Sequence, residues 1–365
     1  MYIAISVIIL VLLGGIVFMQ LPRFGKLPTG DRLERIRKSP NYRNGSFQNQ
    51  SLTPVMADDV SFLSVSREFF LGRSKRIAPV DEIPSVKTDL IKLDKDQDVL
   101  VWFGHSSYFI QIDGKKILID PVLSGHASPF SFSIKAFKGT DPYKVKDIPE
   151  IDYLIITHDH WDHLDYKTIL KLKPKIKKVI CGLGTGAHLE RWGYNKNIIT
   201  ELDWYEQTTP DSGFMVHSVP ARHFSGRGFK RNQTLWTSFV LQTPTMKIFI
   251  GGDGGYDKHF KEAGERFGPI DLAILDNGQH NKNWKYIHLM PDEIIKAFND
   301  LKAKRLFSGH SSKFALANHA WDEPLKEVKA LSNKYNFPLV SPMIGEQVNL
   351  KDTTQKFSEW WKEIK

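Results

Sequence analysis

Short apolar runs separated by turn residues dominate the chain from about residue 98 onward. Residues 99–103, 108–112 and 116–119 are rich in β-branched and aromatic side chains, which is typical of strands. The Asp113-Gly114 pair between the last two runs favours a hairpin turn. Further strands are expected at 152–156, 178–181, 214–219, 236–242, 246–251, 271–275 and 338–350, and helices at 166–173, 257–267, 291–301 and 322–334. Many strands with interspersed helices indicate a layered α/β domain.

The first 22 residues form the most apolar segment, with no charged side chain between Met1 and Pro22. At about 1.5 Å per residue, a helix of this length would span roughly 33 Å, enough for a bilayer core. A cleaved signal peptide is the alternative, but the segment lacks its basic start and small-residue cleavage site. The pattern therefore predicts a single N-terminal transmembrane helix. Because basic residues follow the segment and none precedes it, the main domain is expected to face the cytoplasm.

Composition divides the rest of the chain into three parts. Residues 23–90 are rich in Asn, Ser, Gly and Pro, so they predict a linker or lead-in. Residues 91–350 carry the strand and helix patterns and predict the main domain. Residues 351–365 form a C-terminal tail. Its Trp360 and Trp361 are compatible with two locations of the tail, at a membrane interface or docked on the main domain.

Overall composition narrows the class of protein. The 365 residues are 41% hydrophobic and 25% charged, which is ordinary for a folded globule. A single cysteine excludes an intrachain disulfide and a cysteine-rich zinc site. The net charge of +9 favours nucleic acid, an anionic membrane or a phosphate-bearing substrate. Since no nucleic-acid motif accompanies the charge, we expect membrane and phosphate rather than nucleic acid. No feature indicates an oligomeric state.

The most informative segment is residues 158–166, which read His-Asp-His-Trp-Asp-His-Leu-Asp-Tyr. A β-branched apolar run precedes it, so the cluster is expected in the loop where a buried strand ends. Imidazole and carboxylate are ligands that suit zinc, and also iron or manganese. His158 and His160 can turn toward one ion, while the adjacent Asp162 and His163 can turn toward another. The spacing therefore predicts two metal ions.

Three further candidate ligands follow apolar runs elsewhere in the chain. These are His223, Asp253 and His310, each placed shortly after a predicted strand and beside glycine or small residues. Glycine and small residues allow the backbone to approach a site closely. Any one of the three is compatible with an ordinary loop residue, but together with the loop cluster they form a ligand set.

This pattern resembles the metallo-β-lactamase superfamily, whose fold is a four-layer αββα sandwich with metals at one edge. The resemblance implies a specific ligand arrangement: His158, His160 and His223 for one metal, Asp162, His163 and His310 for the second, and Asp253 between them. It also implies hydrolysis, whereas the substrate depends on the surroundings of the site.

Longer segments resemble one branch more closely, the N-acylphosphatidylethanolamine-hydrolysing phospholipases D. They include Val101-Trp-Phe-Gly-His-Ser106, Leu118-Ile-Asp-Pro121 and Gly251-Gly-Asp-Gly-Gly-Tyr256, and the resemblance covers residues 85–350 approximately. Enzymes of this branch are zinc phosphodiesterases that release N-acylethanolamine and phosphatidic acid from a phospholipid. The resemblance therefore implies two Zn²⁺ ions, or other divalent metals, and a phospholipid substrate reached from a membrane.

A mechanism follows from these residue types. Two zinc ions would hold a hydroxide nucleophile near neutral pH, because zinc lowers the pKa of bound water from 15.7 toward about 7. Asp253 and Asp162 are the catalytic candidates at the metals, and Asp253 would also orient the nucleophile. His288 matches a family histidine near the substrate pocket and would bind phosphate or protonate the leaving group. Candidates for orienting the ligands or contacting substrate are Asp120, His105 and His280.

Two other functions stay open. A lactonase or phosphate-sugar hydrolase of the same fold would act on a soluble metabolite, and it predicts a small, polar pocket. A non-enzymatic binding module would be expected to lack at least one ligand, whereas all seven candidates are present. The preferred interpretation is a membrane-held zinc phosphodiesterase acting on N-acyl phosphatidylethanolamine or a related phospholipid.

Overall fold

The computed structural model describes residues 2–57, 60–72 and 74–365. The strands are β1 Tyr42–Arg43, β2 Ser46–Phe47, β3 Val99–Trp102, β4 Tyr108–Ile112, β5 Lys115–Ile119, β6 Ile151–Ile156, β7 Ile176–Gly182, β8 Ile199–Leu202, β9 Gln207–Asp211, β10 Phe214–Val219, β11 Ser238–Gln242, β12 Lys247–Ile250, β13 Leu272–Asp276, β14 Leu306–Gly309, β15 Leu339–Val340 and β16 Gln347–Asn349. The α-helices are α1 Tyr2–Met19, α2 Gly30–Arg37, α3 Phe62–Leu71, α4 Tyr166–Leu172, α5 Gly186–Arg191, α6 His259–Phe267, α7 Pro291–Asp300 and α8 Glu323–Tyr335.

Fourteen of these strands form two seven-stranded sheets. The first sheet has the order β16-β3-β4-β5-β6-β7-β8, and the second has the order β15-β14-β13-β12-β11-β10-β9. Each sheet joins an antiparallel part to a parallel part, with the change at β5 and β12 respectively. The predicted hairpin between β4 and β5 is confirmed, and positive φ angles at Asp113 and Gly114 make its turn.

Side chains alternate across the strands and build a layered core. In β4, Tyr108 and Ile110 face the core between the two sheets, whereas Phe109 packs on the opposite face of its sheet. Helices α4 and α5 cover that opposite face, and helices α6 to α8 cover the outer face of the second sheet. The chain therefore has the mixed α/β layers that the sequence pattern predicts, in the four-layer arrangement that the family resemblance implies.

Some elements differ from the predicted ones. Residues 338–350 were expected to form one strand, but they form β15 in the second sheet and β16 in the first. The chain turns between them at Gly345, whose φ of 85° suits glycine. Strands β8 and β9 were not predicted, because both lie at sheet edges and are only partly buried, so their side chains lack a clear apolar alternation.

The N-terminal segment forms helix α1, and its end is attached to the domain. Phe18 stacks on Phe130 with ring centroids 5.3 Å apart, and the Trp192 indole nitrogen donates to the Pro22 carbonyl at 2.7 Å. Among the described residues, no helix combines the length and apolar character needed to cross a membrane. The transmembrane helix predicted for residues 1–22 is therefore not supported, and Met1 lies outside the described residues.

The predicted lead-in and tail both contact the main domain. Within residues 23–90, Arg32 of α2 forms ion pairs with Glu190 and Glu201 at 2.6 and 2.7 Å. In the tail, Trp361 is buried in the core between the sheets. Residues 360–363 form a turn, and no helix is present in the tail, all of which the structure describes. The tail therefore docks on the domain, which is one of the two positions left open by the sequence.

Candidate metal centre

The candidate ligands come from loops that follow strands at one edge of the two sheets. Strands β5 and β6 are parallel neighbours in the first sheet, and β12, β13 and β14 are parallel neighbours in the second. Because the carboxyl ends of parallel strands lie at the same sheet edge, the loops after them converge. The structure brings all seven predicted ligands together there, which are His158, His160, Asp162, His163, His223, Asp253 and His310.

One group of ligand atoms consists of three imidazoles. Ring nitrogens of His158, His160 and His223 all lie within 4.8 Å of one another. The Nδ1 atom of His160 is 3.0 Å from His158 Nε2 and 3.2 Å from His223 Nε2. His223 donates from Nδ1 to the Ile287 carbonyl at 2.8 Å, which leaves its Nε2 free as a ligand atom.

A second group contains Asp162, His163 and His310, and the structure adds His105 to it. His105 was expected only to orient a ligand, yet its ring also lies within 4.8 Å of the other three ligand atoms. Its Nε2 donates to Asp162 Oδ2 at 2.8 Å. This contact holds the Asp162 carboxylate in place, so the structure is compatible with the expected orienting role.

Asp253 lies between the two groups. Its Oδ1 atom is 3.1 Å from His163 Nε2 and 3.0 Å from His310 Nδ1. Its Oδ2 atom is 3.8 Å from the Nε2 atoms of His158 and His223. One carboxylate oxygen therefore faces each group, as the bridging position requires.

Two buried polar atoms without hydrogen-bond partners indicate whether these residues suit a metal ion. His163 Nε2 and Asp253 Oδ1 are buried, and neither has a hydrogen-bond partner although they are close together. Buried polar atoms without partners are rare in folded proteins. A cation would satisfy both atoms, and a set of imidazoles and carboxylates suits zinc, iron or manganese. The residues therefore fit a divalent metal centre.

The pKa values of most of the ligand histidines agree with this, whereas Asp253 and Asp162 raise the pKa of His163 well above its usual value against the opposing effect of burial. Burial lowers the pKa of His158, His223 and His310 well below the usual value, so these rings are neutral, which is the form that binds metals. Burial lowers the pKa of His160 to about 4. Burial raises the pKa of Asp253 to about 7, against the opposing effect of His163. A bound cation would favour the ionised carboxylate.

Asp120 lies directly behind the ligands. Its Oδ2 accepts hydrogen bonds from His163 Nδ1 at 2.8 Å and from the Thr157 hydroxyl at 2.6 Å. Its Oδ1 accepts from the Thr157 backbone N–H at 2.9 Å. The carboxylate therefore keeps the proton of His163 on Nδ1 and leaves Nε2 for a metal.

His288 lies beside the centre and is supported by Asp276, a residue that the sequence reasoning missed. His288 Nδ1 donates to Asp276 Oδ2 at 2.7 Å, and burial alone would lower the pKa of His288, but Asp276 raises it above its usual value. Asp276 ends β13 directly after an apolar run. Asp276 could therefore have been predicted from the sequence, because it is a polar residue at the end of an apolar strand, like the other site residues.

Residues 115–311, more than half of the chain, match the sequence profile of the Beta-lactamase superfamily domain. The chain belongs to the metallo-β-lactamase superfamily. It is a metal-dependent hydrolase of this superfamily. Within the superfamily, it is related to the branch of the N-acylphosphatidylethanolamine-hydrolysing phospholipases D.

Individual relatives agree with this membership. The chain is 34% identical over 329 residues to an uncharacterised protein of Mycobacterium tuberculosis, covering 89% of this chain and 88% of the relative. It is 30% identical over 248 residues to N-acyl-phosphatidylethanolamine-hydrolyzing phospholipase D 1 of Caenorhabditis elegans, covering 63% and 68% respectively. The metallo hydrolase Igni18 of Ignicoccus hospitalis shares the fold, with a TM-score of 0.52, 18% identity, and coverage of 69% of this chain and 98% of that one.

In this member of the metallo-β-lactamase superfamily, a buried arginine that the sequence did not single out holds the ligand loop. The Arg227 guanidinium donates to the carbonyls of Asp159 and Leu164 at 2.8 and 2.7 Å. It also lies over the Trp161 ring, 3.9 Å from the centroid. Asp159 turns away from the metal centre toward His188, at 3.2 Å. These contacts fix the backbone of residues 158–164, and with it the directions of the ligands.

A cavity of about 310 Å³ opens onto the cluster of candidate ligands. Its polar wall consists of His160, Asp162, His223, Asp253, Gln279, His288 and His310, and its apolar wall of Val55, Met56, Val65, Phe224, Trp284, Ile287 and Leu316. Three of the apolar residues come from the predicted lead-in. His280, expected in this pocket, lies outside the cavity lining, and its neighbour Gln279 takes that place.

Proposed function

We propose that the protein is a zinc phosphodiesterase of the phospholipase D type. It would hydrolyse N-acyl phosphatidylethanolamine, or a related phospholipid, to N-acylethanolamine and phosphatidic acid. The observation that carries this proposal is the cavity in which seven apolar side chains face the metal-ligand cluster. A soluble lactone or phosphate sugar would call for polar walls, whereas acyl chains call for apolar ones. The relationship to the Caenorhabditis elegans phospholipase supports the same substrate class.

Two Zn²⁺ ions would be held by the two ligand groups, with Asp253 between them. When bound, such ions neutralise charge on phosphate oxygens and supply an activated water. The buried carboxylates of Asp253 and Asp162 would hold the ions and limit the access of water to them. Asp253 is 4% exposed and Asp162 is 8% exposed, so little water competes for their oxygens.

Proton transfer to the leaving group is assigned to His288. Hydrolysis breaks the phosphorus–oxygen bond to the ethanolamine side, and the departing oxygen needs a proton. His288 keeps one proton at Nδ1 through Asp276, which leaves Nε2 for the proton that is transferred. The pKa of His288, raised by Asp276 against the opposing effect of burial, favours the protonated ring that this role needs.

The substrate would be taken from a lipid surface that contacts the N-terminal helix. Helix α1 exposes apolar side chains, with Leu10 and Val17 each 67% exposed. The exposed Phe132 contacts Phe130, and Phe130 stacks on Phe18 near the end of this helix. The net charge of +9 would favour a surface that contains anionic lipids. This contact requires no helix that crosses the bilayer.

The reaction itself is tested with purified protein and N-acyl phosphatidylethanolamine in detergent micelles. We expect phosphatidic acid and N-acylethanolamine in equal amounts, detected by mass spectrometry. A chelator should abolish both products and added Zn²⁺ should restore them. Hydrolysis of a soluble lactone without any phosphatidic acid would contradict the proposal and would favour the lactonase alternative.

The apolar wall is tested by Val65→Asp. Removing an apolar contact of about 1.5 kcal/mol should lower kcat/KM for a long-chain lipid about tenfold. A small soluble phosphodiester, bis(p-nitrophenyl) phosphate, has no acyl chain to contact the apolar wall. Its kcat/KM should therefore change by less than about twofold. Leu63→Asp is the matched control, because Leu63 lies on the same helix and is 78% exposed. Equal losses for both substrates would show that the wall does not bind acyl chains.

A further inference from the structure

A second group of potential ligands lies beside helix α8, apart from the catalytic cavity. His280, Glu323 and Glu327 each have a ligand atom within 4.8 Å of those of the other two. The glutamates are four residues apart in α8, so they lie on the same face of the helix. His280 belongs to the loop that follows β13 and lies opposite that face.

Two atoms of this group lack a hydrogen-bond partner, whereas Glu323 Oε2 accepts from the Ala320 backbone N–H at 3.1 Å. His280 is 7% exposed and its Nδ1 has no hydrogen-bond partner. Its Nε2 is 3.5 Å from Glu327 Oε2, and that buried oxygen also lacks a hydrogen-bond partner. Within the described ranges, neither glutamate has a lysine or arginine within 4 Å, and the nearby Lys326 pairs with Asp322 instead. The two carboxylates therefore face each other without a compensating cation.

The neighbouring His319 does not provide that charge. Its ring stacks on His280 with centroids 5.0 Å apart. Its Nε2 accepts a hydrogen bond from the Gln279 backbone N–H at 2.9 Å, and its Nδ1 donates to the Ala320 carbonyl at 2.8 Å. A ring nitrogen that accepts a hydrogen bond carries no proton, so His319 is neutral in this arrangement. It supports His280 from behind and leaves the ligand atoms facing α8.

We propose that His280, Glu323 and Glu327 bind a divalent transition-metal ion, for which Zn²⁺ is the probe. One imidazole and two carboxylates form a donor set that suits zinc or manganese, and three protein ligands leave a coordination position for water. The alternative is a simple ion pair between His280 and Glu327. That pair would leave the charge of Glu323 with a backbone N–H but no cation beside it among the described residues, and the 3.5 Å contact has no hydrogen-bond geometry. The site is independent of the function proposed above.

An ion here would brace the loop that reaches the catalytic centre. Gln279, adjacent to His280, accepts through Oε1 from the backbone N–H groups of Leu316 and Ala317 at 2.8 and 2.9 Å. Its Nε2 donates to the Phe314 carbonyl at 3.1 Å. Both Gln279 and Leu316 line the catalytic cavity. A metal that immobilises His280 would therefore hold one wall of that cavity in position.

Metal content tests the proposal. The full-length protein and its variants are loaded with Zn²⁺, dialysed, and measured by inductively coupled plasma mass spectrometry. We expect the zinc content of His280→Phe and of Glu327→Gln to be lower than that of the unaltered protein by one ion per chain. His280→Phe keeps a ring against His319 while removing the ligand nitrogen. Glu265→Gln is the control, because Glu265 is an exposed helical glutamate that pairs with Lys261 instead, and it should retain the full count.

The comparison does not depend on how many ions the catalytic centre holds, because only the difference between variants is used. In a chain that also carries Asp253→Asn, His280→Phe should again remove one ion. If Glu327→Gln fails to fold, His280→Phe decides the outcome alone. An equal zinc count in the unaltered chain and a folded variant would overturn the site, whatever substrate the enzyme proves to hydrolyse.

Discussion

Asp253→Asn is expected to lower kcat/KM by about 10²- to 10⁴-fold and to reduce the amount of bound metal. Removing one partner from a buried charged group costs about 3–5 kcal/mol, and each 1.36 kcal/mol corresponds to a factor of ten in rate. Asp253 is the residue that faces both ligand groups, with Oδ1 near His163 and His310 and Oδ2 near His158. An amide keeps the shape but loses the negative charge and one acceptor oxygen.

The measurement combines turnover of the phospholipid with metal analysis of the same sample. Asp257→Asn is the matched control, because this partly exposed aspartate lies in the same loop and its side chain accepts from the Lys258 backbone N–H, away from the ligand groups. The control should keep both metal and activity. Full turnover together with full metal content in Asp253→Asn would show that this carboxylate does not connect the two ligand groups.

Asp120→Asn is expected to weaken metal binding and activity by about 10- to 100-fold, the range observed when groups behind a ligand are changed. Asp120 accepts three hydrogen bonds, from His163 Nδ1 and from the hydroxyl and backbone N–H of Thr157. An asparagine has one acceptor oxygen, so its NH₂ group would face a donor. The proton on His163 would then no longer be held at Nδ1, and Nε2 would be available for a metal only part of the time.

Competition with a chromophoric chelator measures the affinity, and turnover is recorded in parallel. Asp152→Asn is the control, since Asp152 also accepts a backbone hydrogen bond in the first sheet, from Lys116, but lies at the start of β6, far along that strand from the ligands. A change in turnover with unaltered affinity would indicate that Asp120 acts on the substrate rather than on His163. A thermal shift without either change would indicate a purely structural role.

Much of the site could be predicted because its residues follow a local rule. His158, His223 and His310 come shortly after apolar strands, and such strands are visible as short β-branched runs. The inner strands β4, β5 and β6 were predicted for the same reason, since burial on both faces leaves an apolar pattern. The edge strands β8 and β9 lack that pattern because one of their sides is partly exposed.

Other features depend on contacts between distant parts of the chain. Val65 lines the catalytic cavity although it belongs to the predicted lead-in, and nothing in its own neighbourhood indicates that position. Arg227 reaches the ligand loop through hydrogen bonds to backbone carbonyls, which carry no sequence signature. The sequence of residues 1–22 predicts a membrane span, yet Phe18 near the end of helix α1 packs on Phe130 of the domain.

The sequence by itself determined the strand-rich α/β class, the metal-ligand types and their order along the chain. These properties are local, because they follow from side-chain chemistry and from the period of apolar residues. Only the tertiary structure decided that His105 joins the second ligand group, that an apolar wall faces the ligands, and that His280 lies against α8 instead of the cavity. Those outcomes depend on how two sheets pack, which brings together residues more than a hundred positions apart, such as His105 and His310.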